Sequence, residues 1–240
     1  MPGLPYFGKI HSCSPTNFIM YFYIKSKNID IVFMQETHLL VEESKKLRRD
    51  WVDYVAASCG SRSSCGVATL VNQRLQFKCH TVRNVYAPKT MDPAFIGKLE
   101  SKLVSGLGDF PILMGGDFNE VLDPILDRST PTQHQTKACD ALQDMCKSYG
   151  LVDIWRLHNP SKRDYTFYSS PHNSLSRIDV ILVSNSLASI LEIPTTEASA
   201  DADVRFYFHA SSQGGYLALN NRYFQKGPHS LCLLLHATAH

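Results

Sequence analysis

The sequence predicts an α/β sandwich, on two observations. Short apolar runs of buried-strand character recur at residues 29–34, 66–71 and 112–114, and stretches of helical spacing stand among them at 95–107 and 136–149. Strands that alternate with helices bury both kinds of apolar face when helices cover a sheet. At 240 residues the chain can bury one good core, and 44% hydrophobic with 19% charged residues suits a soluble globular protein. A formal net charge of +2 is close to neutral, so charge alone makes no case for nucleic acid.

Taken in order, residues 1–23 have no clear period, because Pro2, Pro5 and Pro15 interrupt it. Tyr21-Phe22-Tyr23-Ile24 suits the end of either a helix or a strand. Lys25-Ser26-Lys27-Asn28 makes a turn before the buried run Ile29-Asp30-Ile31-Val32-Phe33-Met34, which ends in Gln35-Glu36-Thr37-His38. Residues 42–51 are polar and helix-forming. Their basic cluster, Lys45-Lys46-Leu47-Arg48-Arg49, reads as a solvated helix face rather than a phosphate patch.

Residues 66–71 form the next strand, and Pro88 of Asn84-Val85-Tyr86-Ala87-Pro88 ends the one after it. Phe95, Ile96, Leu99, Leu103 and Leu107 give one helix its apolar spacing; Ala138, Leu142, Met145 and Cys146 give it to a second, which Gly150 terminates. Residues 153–156 and 165–168 are short ordered segments, and Ser176-Arg177-Ile178-Asp179 leads into the buried run Val180-Ile181-Leu182-Val183. Beyond about Glu192 no clean period survives. The expected organisation is one domain over 1–192, divergent in its first 23 residues, followed by a poorly specified tail over 193–240.

Seven cysteines, odd in number and without a CxxC pair, point to reduced thiols in an intracellular compartment, as does the absence of a secretory signal. The run Leu231-Cys232-Leu233-Leu234-Leu235 is too short to span a bilayer, so no membrane is expected. His38 and His134 are ordinary polar histidines, and no His/Cys spacing suggests zinc.

The stretch that carries chemistry is Ile112-Leu113-Met114-Gly115-Gly116-Asp117-Phe118-Asn119. A buried strand runs into two glycines that permit a tight path, then an acid and an amide at i and i+2, facing one way on extended backbone. A carboxylate can take or give a proton while an amide orients an oxygen, which suits phosphate chemistry. The local alternative is that Asp117 and Asn119 only stabilise a turn.

In order along the chain, Gln35-Glu36-Thr37-His38, Asn84-Val85-Tyr86-Ala87-Pro88, Gly115-Gly116-Asp117-Phe118-Asn119 and Ser176-Arg177-Ile178-Asp179 each sit at or beside a strand end. Over about residues 24–191 this string resembles the endonuclease/exonuclease/phosphatase superfamily. It is most similar to the apurinic-type endonuclease domain of LINE-type non-LTR retrotransposon polyproteins. The resemblance implies a four-layer α/β/β/α sandwich, lacking parts of the family sheet because residues 77–83 leave little room for a strand pair. It implies Mg²⁺, with Mn²⁺ as the alternative, held by Glu36. Tyr86 resembles the tyrosine beside the scissile phosphate, Asp117 the acid/base aspartate, Asn119 the orienting amide, and Asp179 the aspartate that supports a catalytic histidine. Ser176 and Arg177 are expected to be loop and packing residues. DNA is the implied partner of a monomeric, nuclear protein.

The pattern also departs from the family. No opening asparagine motif occurs in residues 1–16, and Asn17 lacks its surroundings. No Ser-Asp-His tripeptide occurs anywhere, and His209, in Phe206-Tyr207-Phe208-His209-Ala210, is no evident substitute. The expected function is therefore a retroelement-derived, Mg²⁺-dependent DNA endonuclease-like domain in degenerate form. The alternatives are an inactive remnant that binds nucleic acid weakly, and a phosphodiesterase acting on a lipid or small-molecule phosphate.

Overall fold

A computed structural model describes residues 31–35, 37, 39–59, 66–73, 82–90, 92–104 and 111–188, together with the backbone of 191–192, 203–211, 216–224 and 232–235. The buried run near the N-terminus forms β1 (Ile31–Met34), followed by a short helix, α1 (Val41–Lys45). Two antiparallel strands follow, β2 (Val52–Ser58) and β3 (Val67–Asn72), and β3 lies between β2 and β1. The apolar side of this sheet packs under the segments that flank α1: Val32, Met34, Leu39, Leu47, Trp51, Val52, Ala68 and Leu70 form one buried cluster.

The second sheet begins with β4 (Val82–Tyr86) and continues, after α2 (Pro93–Val104), with β5 (Leu113–Asp117). α3 (Lys137–Ser148) leads to β6 (Leu151–Asp153), α4 (Ile154–His158) and a hairpin of β7 (Phe167–Ser169) and β8 (Ser174–Ser176). β9 (Asp179–Ser184) completes the sheet in the order β4-β5-β9-β6 and ends in α5 (Asn185–Ala188). α3 starts where Thr136 accepts a hydrogen bond from the Cys139 amide, and the chain leaves it through Gly150 at φ 58°.

Alternation along the strands places the layers. Met114, Val180 and Leu182 join Ile96 and Leu103 of α2 and Leu142 and Met145 of α3 in a second buried cluster. Gly115 faces the other way, where an added Cβ would lie 2.8 Å from the Phe33 ring. The two sheets therefore stack face to face, with helices outside each, and the α/β/β/α order follows.

The structure differs from the sequence expectation in three places. Helix forms only over Val41–Lys45 of the expected 42–51, since Asp50 at φ 57° and buried Trp51 turn the chain into β2. β2 has no sequence signal because it is a sheet edge with a mostly exposed burial pattern, so no apolar alternation is required. Backbone strands also form from residue 191 on, across a stretch where no period was visible. These are β10 (Leu191–Glu192), β11 (Asp203–Ser211), β12 (Tyr216–Phe224) and β13 (Cys232–Leu235). β13 takes the edge of β1 that β3 leaves open, so its pairing partner is distant in sequence. Among the described residues no helix is long and apolar enough to cross a membrane.

The adjacent glycines predict unequal costs. A Cβ on Gly116, at φ 149°, would sit 1.8 Å from the Val85 carbonyl oxygen, so Gly116→Ala must break the β4–β5 pairing. Gly115→Ala meets only a ring that can shift, at about 1–3 kcal/mol. Urea denaturation should rank Gly116→Ala as far more damaging than Gly115→Ala. A second expectation concerns alkali. Burial, with the Asp153 charge adding to it, pushes the Cys146 thiol up to about 12. A thiol whose pKa rises on folding holds its proton better folded than unfolded, so its stabilising effect is complete below about pH 9. It is lost as the pH climbs toward 12, and Cys146→Ala should flatten the alkaline limb of a stability–pH curve.

Candidate functional site

Strand register brings three of the sequence-identified residues into one row. Tyr86 of β4 lies opposite Asp117 of β5, and Asp117 lies opposite Asp179 of β9. Directly paired residues share a face. Gly115, two residues before Asp117, fixes that face as the one turned toward the other sheet. Tyr86, Asp117 and Asp179 thus stand side by side at one end of the sandwich. Asp117 is largely buried and Asp179 wholly so, which excludes a merely solvated surface carboxylate at Asp179.

Asn119 joins them through the turn after β5. Its φ of 49° is a left-handed conformation that asparagine tolerates, and its backbone N–H donates to Asp117 Oδ1 at 2.9 Å. Its Nδ2 donates to the Ala87 carbonyl at 2.6 Å, while the Ala87 N–H donates to the Asp117 carbonyl at 2.8 Å. The turn-stabilising role is therefore real. It also aims the site, because the committed Nδ2 turns the carbonyl end of the Asn119 amide away from Ala87. Ala87 belongs to the same segment as Tyr86, so these bonds tie the tyrosine strand to the Asp117 turn.

Asp179 is held from behind. Thr166 Oγ1 accepts from the N–H of Ile178 at 3.1 Å and of Asp179 at 3.2 Å, and the Phe118 N–H donates to the Ile178 carbonyl at 2.9 Å. Beneath lies an ion network that the sequence alone did not reveal. The buried Arg177 donates from Nε and Nη2 to both oxygens of Asp127, each at 2.9 Å, and also to Asp153. Arg156 pairs with Asp127 as well, and both guanidinium groups lie over the Trp155 ring, 4.8 and 4.9 Å from its centre. Burial works against the Arg177 charge, but Asp153 and Asp127 outweigh it and raise its pKa above the ordinary value. Arg177 is thus more than a packing residue. The available signal was an arginine at the foot of a buried strand, which demands carboxylate partners.

Glu36, the expected metal ligand, lies outside the described residues, as does His38. Among the described residues no group of three His, Cys, Asp or Glu side chains could hold a metal ion. The oxygen donors that are present, Asp117 and Asn119, have the hard chemistry Mg²⁺ prefers, but a complete ligand set would need Glu36. His209 lies on β11, where its backbone pairs with Ala218, and His134 is exposed in the loop before α3.

Residues 23–199 match the Endonuclease/Exonuclease/phosphatase family. A transposon TX1 uncharacterized 149 kDa protein from Xenopus laevis is 27% identical over 207 residues. That match covers 75% of this chain and 16% of the Xenopus protein, so the chain spans a small part of its curated relative. Among solved structures, the AP endonuclease LMAP of Leishmania major superposes with a TM-score of 0.50 at 16% identity, over 70% of this chain and 74% of that one. The 3′ phosphatase NExo from Neisseria, bound to a product DNA hairpin, superposes with a TM-score of 0.53 at 19% identity, over 80% and 87%. At such identities these two likenesses establish the shared fold.

The ion network predicts a stability cost. Arg177→Met leaves Asp153 without a guanidinium partner and Asp127 with Arg156 alone, and Asp127→Asn takes the carboxylate from Arg156 and leaves Arg177 with Asp153 alone; each should cost about 3–5 kcal/mol in equilibrium unfolding. An effect below about 1 kcal/mol for both would show that the network is solvated in solution.

Proposed function

Because the chain belongs to the endonuclease/exonuclease/phosphatase family, we propose that it is the DNA-directed, phosphodiester-cleaving domain of a retroelement protein, with a degenerate active centre. The nuclease-like fold is common to the family reading and to this finer one. The observation that carries the finer reading is the Tyr86–Asp117–Asp179 row with Asn119 beside it. The retroelement setting rests on the similarity to the Xenopus transposon protein.

Each residue has a task in hydrolysis. Asp117 exchanges a proton with the attacking water or the departing oxygen, and the Asn119 amide orients the group beside it. The Tyr86 hydroxyl donates to a phosphoryl oxygen as charge builds there. A Mg²⁺ ion held by Glu36 would add charge neutralisation at the phosphate. Asp179 has the support role of an acid–histidine pair, and the sequence holds no Ser-Asp-His motif to complete it. That loss is the reason for calling the centre degenerate.

Nucleic acid is favoured over a small phosphate by the surface next to Asp179. The β7–β8 hairpin leads directly into Arg177-Ile178-Asp179 and leaves Phe167, Tyr168 and Leu175 exposed. Aromatic side chains beside a phosphate site offer stacking platforms for bases.

With Mg²⁺, the purified chain should nick supercoiled or abasic DNA about 10²–10⁴-fold more slowly than a member with an intact histidine motif. The residual nicking should disappear on Asp117→Asn and on Glu36→Ala. DNA binding without any nicking would favour the binding remnant. Nicking that survives Asp117→Asn would remove the assigned chemistry.

A further inference from the structure

Asn84 is the residue of the tyrosine segment that the hydrolysis above leaves without a task. It lies two residues before Tyr86 on β4, on the same face and one row behind the site, opposite Gly115. Among the described residues β4 stands at the edge of its sheet and pairs with β5 on one side only. Asn84 supplies the other side. Its Nδ2 donates to the Met34 carbonyl of β1 at 3.0 Å and to the Ala68 carbonyl of β3 at 2.9 Å. Its Oδ1 accepts from Gln35 Nε2 at 3.1 Å.

These bonds determine which way both amides point. Two carbonyl acceptors claim both hydrogens of the Asn84 nitrogen, so its oxygen must face Gln35, and Gln35 must answer with its nitrogen. Among the described residues Gln35 Oε1 is then left buried without a partner. An unsatisfied buried acceptor is unfavourable, so the orientation of Gln35 is imposed by Asn84 and not by its own hydrogen bonding. Among side chains of this size, only a planar amide combines two donors with an acceptor in one head group.

Resting on the nuclease reading, we propose that Asn84 is a positioning residue: by clasping Met34, Ala68 and Gln35 it sets how far Tyr86 and Asp117 stand from the end of β1. On the nuclease reading, the separation of the two sheets at this point bears on the space open to a phosphate. Asn84 touches no substrate. It acts through Tyr86 on its own strand and through Asp117 on the strand paired with it.

The test labels the site and not the global fold. A 3-fluorotyrosine placed at Tyr86 reports its surroundings by ¹⁹F resonance, and the same label at the exposed Tyr54 serves as control. Asn84→Asp keeps the shape and the acceptor but removes both donors, whereas Asn84→Ser keeps one donor. In the 240-residue chain, with folding confirmed by melting, Asn84→Asp should move the label at Tyr86 and leave the one at Tyr54 in place, with Asn84→Ser giving a smaller displacement. Where the unmodified chain nicks DNA with Mg²⁺, kcat should fall about 10- to 100-fold while KM stays within about twofold. An unmoved label at Tyr86, equal movement at Tyr54, or a rise in KM with kcat intact would overturn the proposal. Should Asn84→Asp fail to fold, Gln35→Met removes only the third bond, and movement of the same label at Tyr86 supports the clasp while its immobility overturns it. Absence of nicking in the unmodified chain would sink the nuclease reading, and the label alone would then decide the role of Asn84.

Discussion

The structure depends on how closely its neighbours approach the backbone at Gly115 and Gly116. At Gly115 the second sheet comes near enough for the Phe33 ring to occupy the space a side chain would need. At Gly116 β4 comes near enough for the Val85 carbonyl to fill the position of a Cβ. One glycine sets the separation of the sheets and the next sets the pairing of the strands. The row that contains Tyr86, Asp117 and Asp179 is a consequence of both, because it is read off the same strands one residue further on. Neither contact adds much favourable energy itself. Their importance is geometric: a side chain at Gly116 would push β4 off β5, and one at Gly115 would displace the Phe33 ring between the sheets.

The other half of the site is held by charge. Asp127 follows the Asp117 turn by ten residues, and Arg177 precedes Asp179 by two, so their ion pair locks the approaches to the two site carboxylates together. The Arg177 N–H also donates to the Asp127 carbonyl at 2.9 Å, which makes the link a backbone one as well. A buried ion pair is a poor route to stability compared with apolar packing, since desolvation consumes most of the attraction. What it supplies is direction. Two guanidinium groups stacked on Trp155 and shared between Asp127 and Asp153 admit few alternative arrangements, whereas apolar side chains would admit many.

Legibility in the sequence followed the range of the interaction. The helix ending at Gly150 was readable almost to the residue because its cap, stripe and terminator are local; Thr136 does accept from Cys139 as a cap should. The strand into Asp117 and the turn through Asn119 were readable for the same reason. β2 was invisible, as an exposed edge strand imposes no period on its residues. β13 was invisible because its partners, β1 and β11, lie far away along the chain or in a stretch with no pattern of its own. Arg177 is the instructive miss. Read beside its neighbours it is one polar residue in a motif, and only the fold reveals that Asp127 and Asp153 arrive at it from 50 and 24 residues away.

This division bears on the proposed reading of a degenerate centre. The positions of Tyr86, Asp117, Asn119 and Asp179 are set by strand register, by backbone hydrogen bonds and by the Arg177 network, none of which involves a terminal histidine. Under the proposed reading, a centre without a Ser-Asp-His motif lacks a chemical group while the frame that positions these four residues stands intact. Geometry and reactivity separate for a physical reason: the frame is cooperative and distributed over many residues, while general acid–base chemistry depends on one side chain at one place. Each member of the row is fixed by backbone pairing within one sheet, so the order of the row does not depend on any single acid–base group.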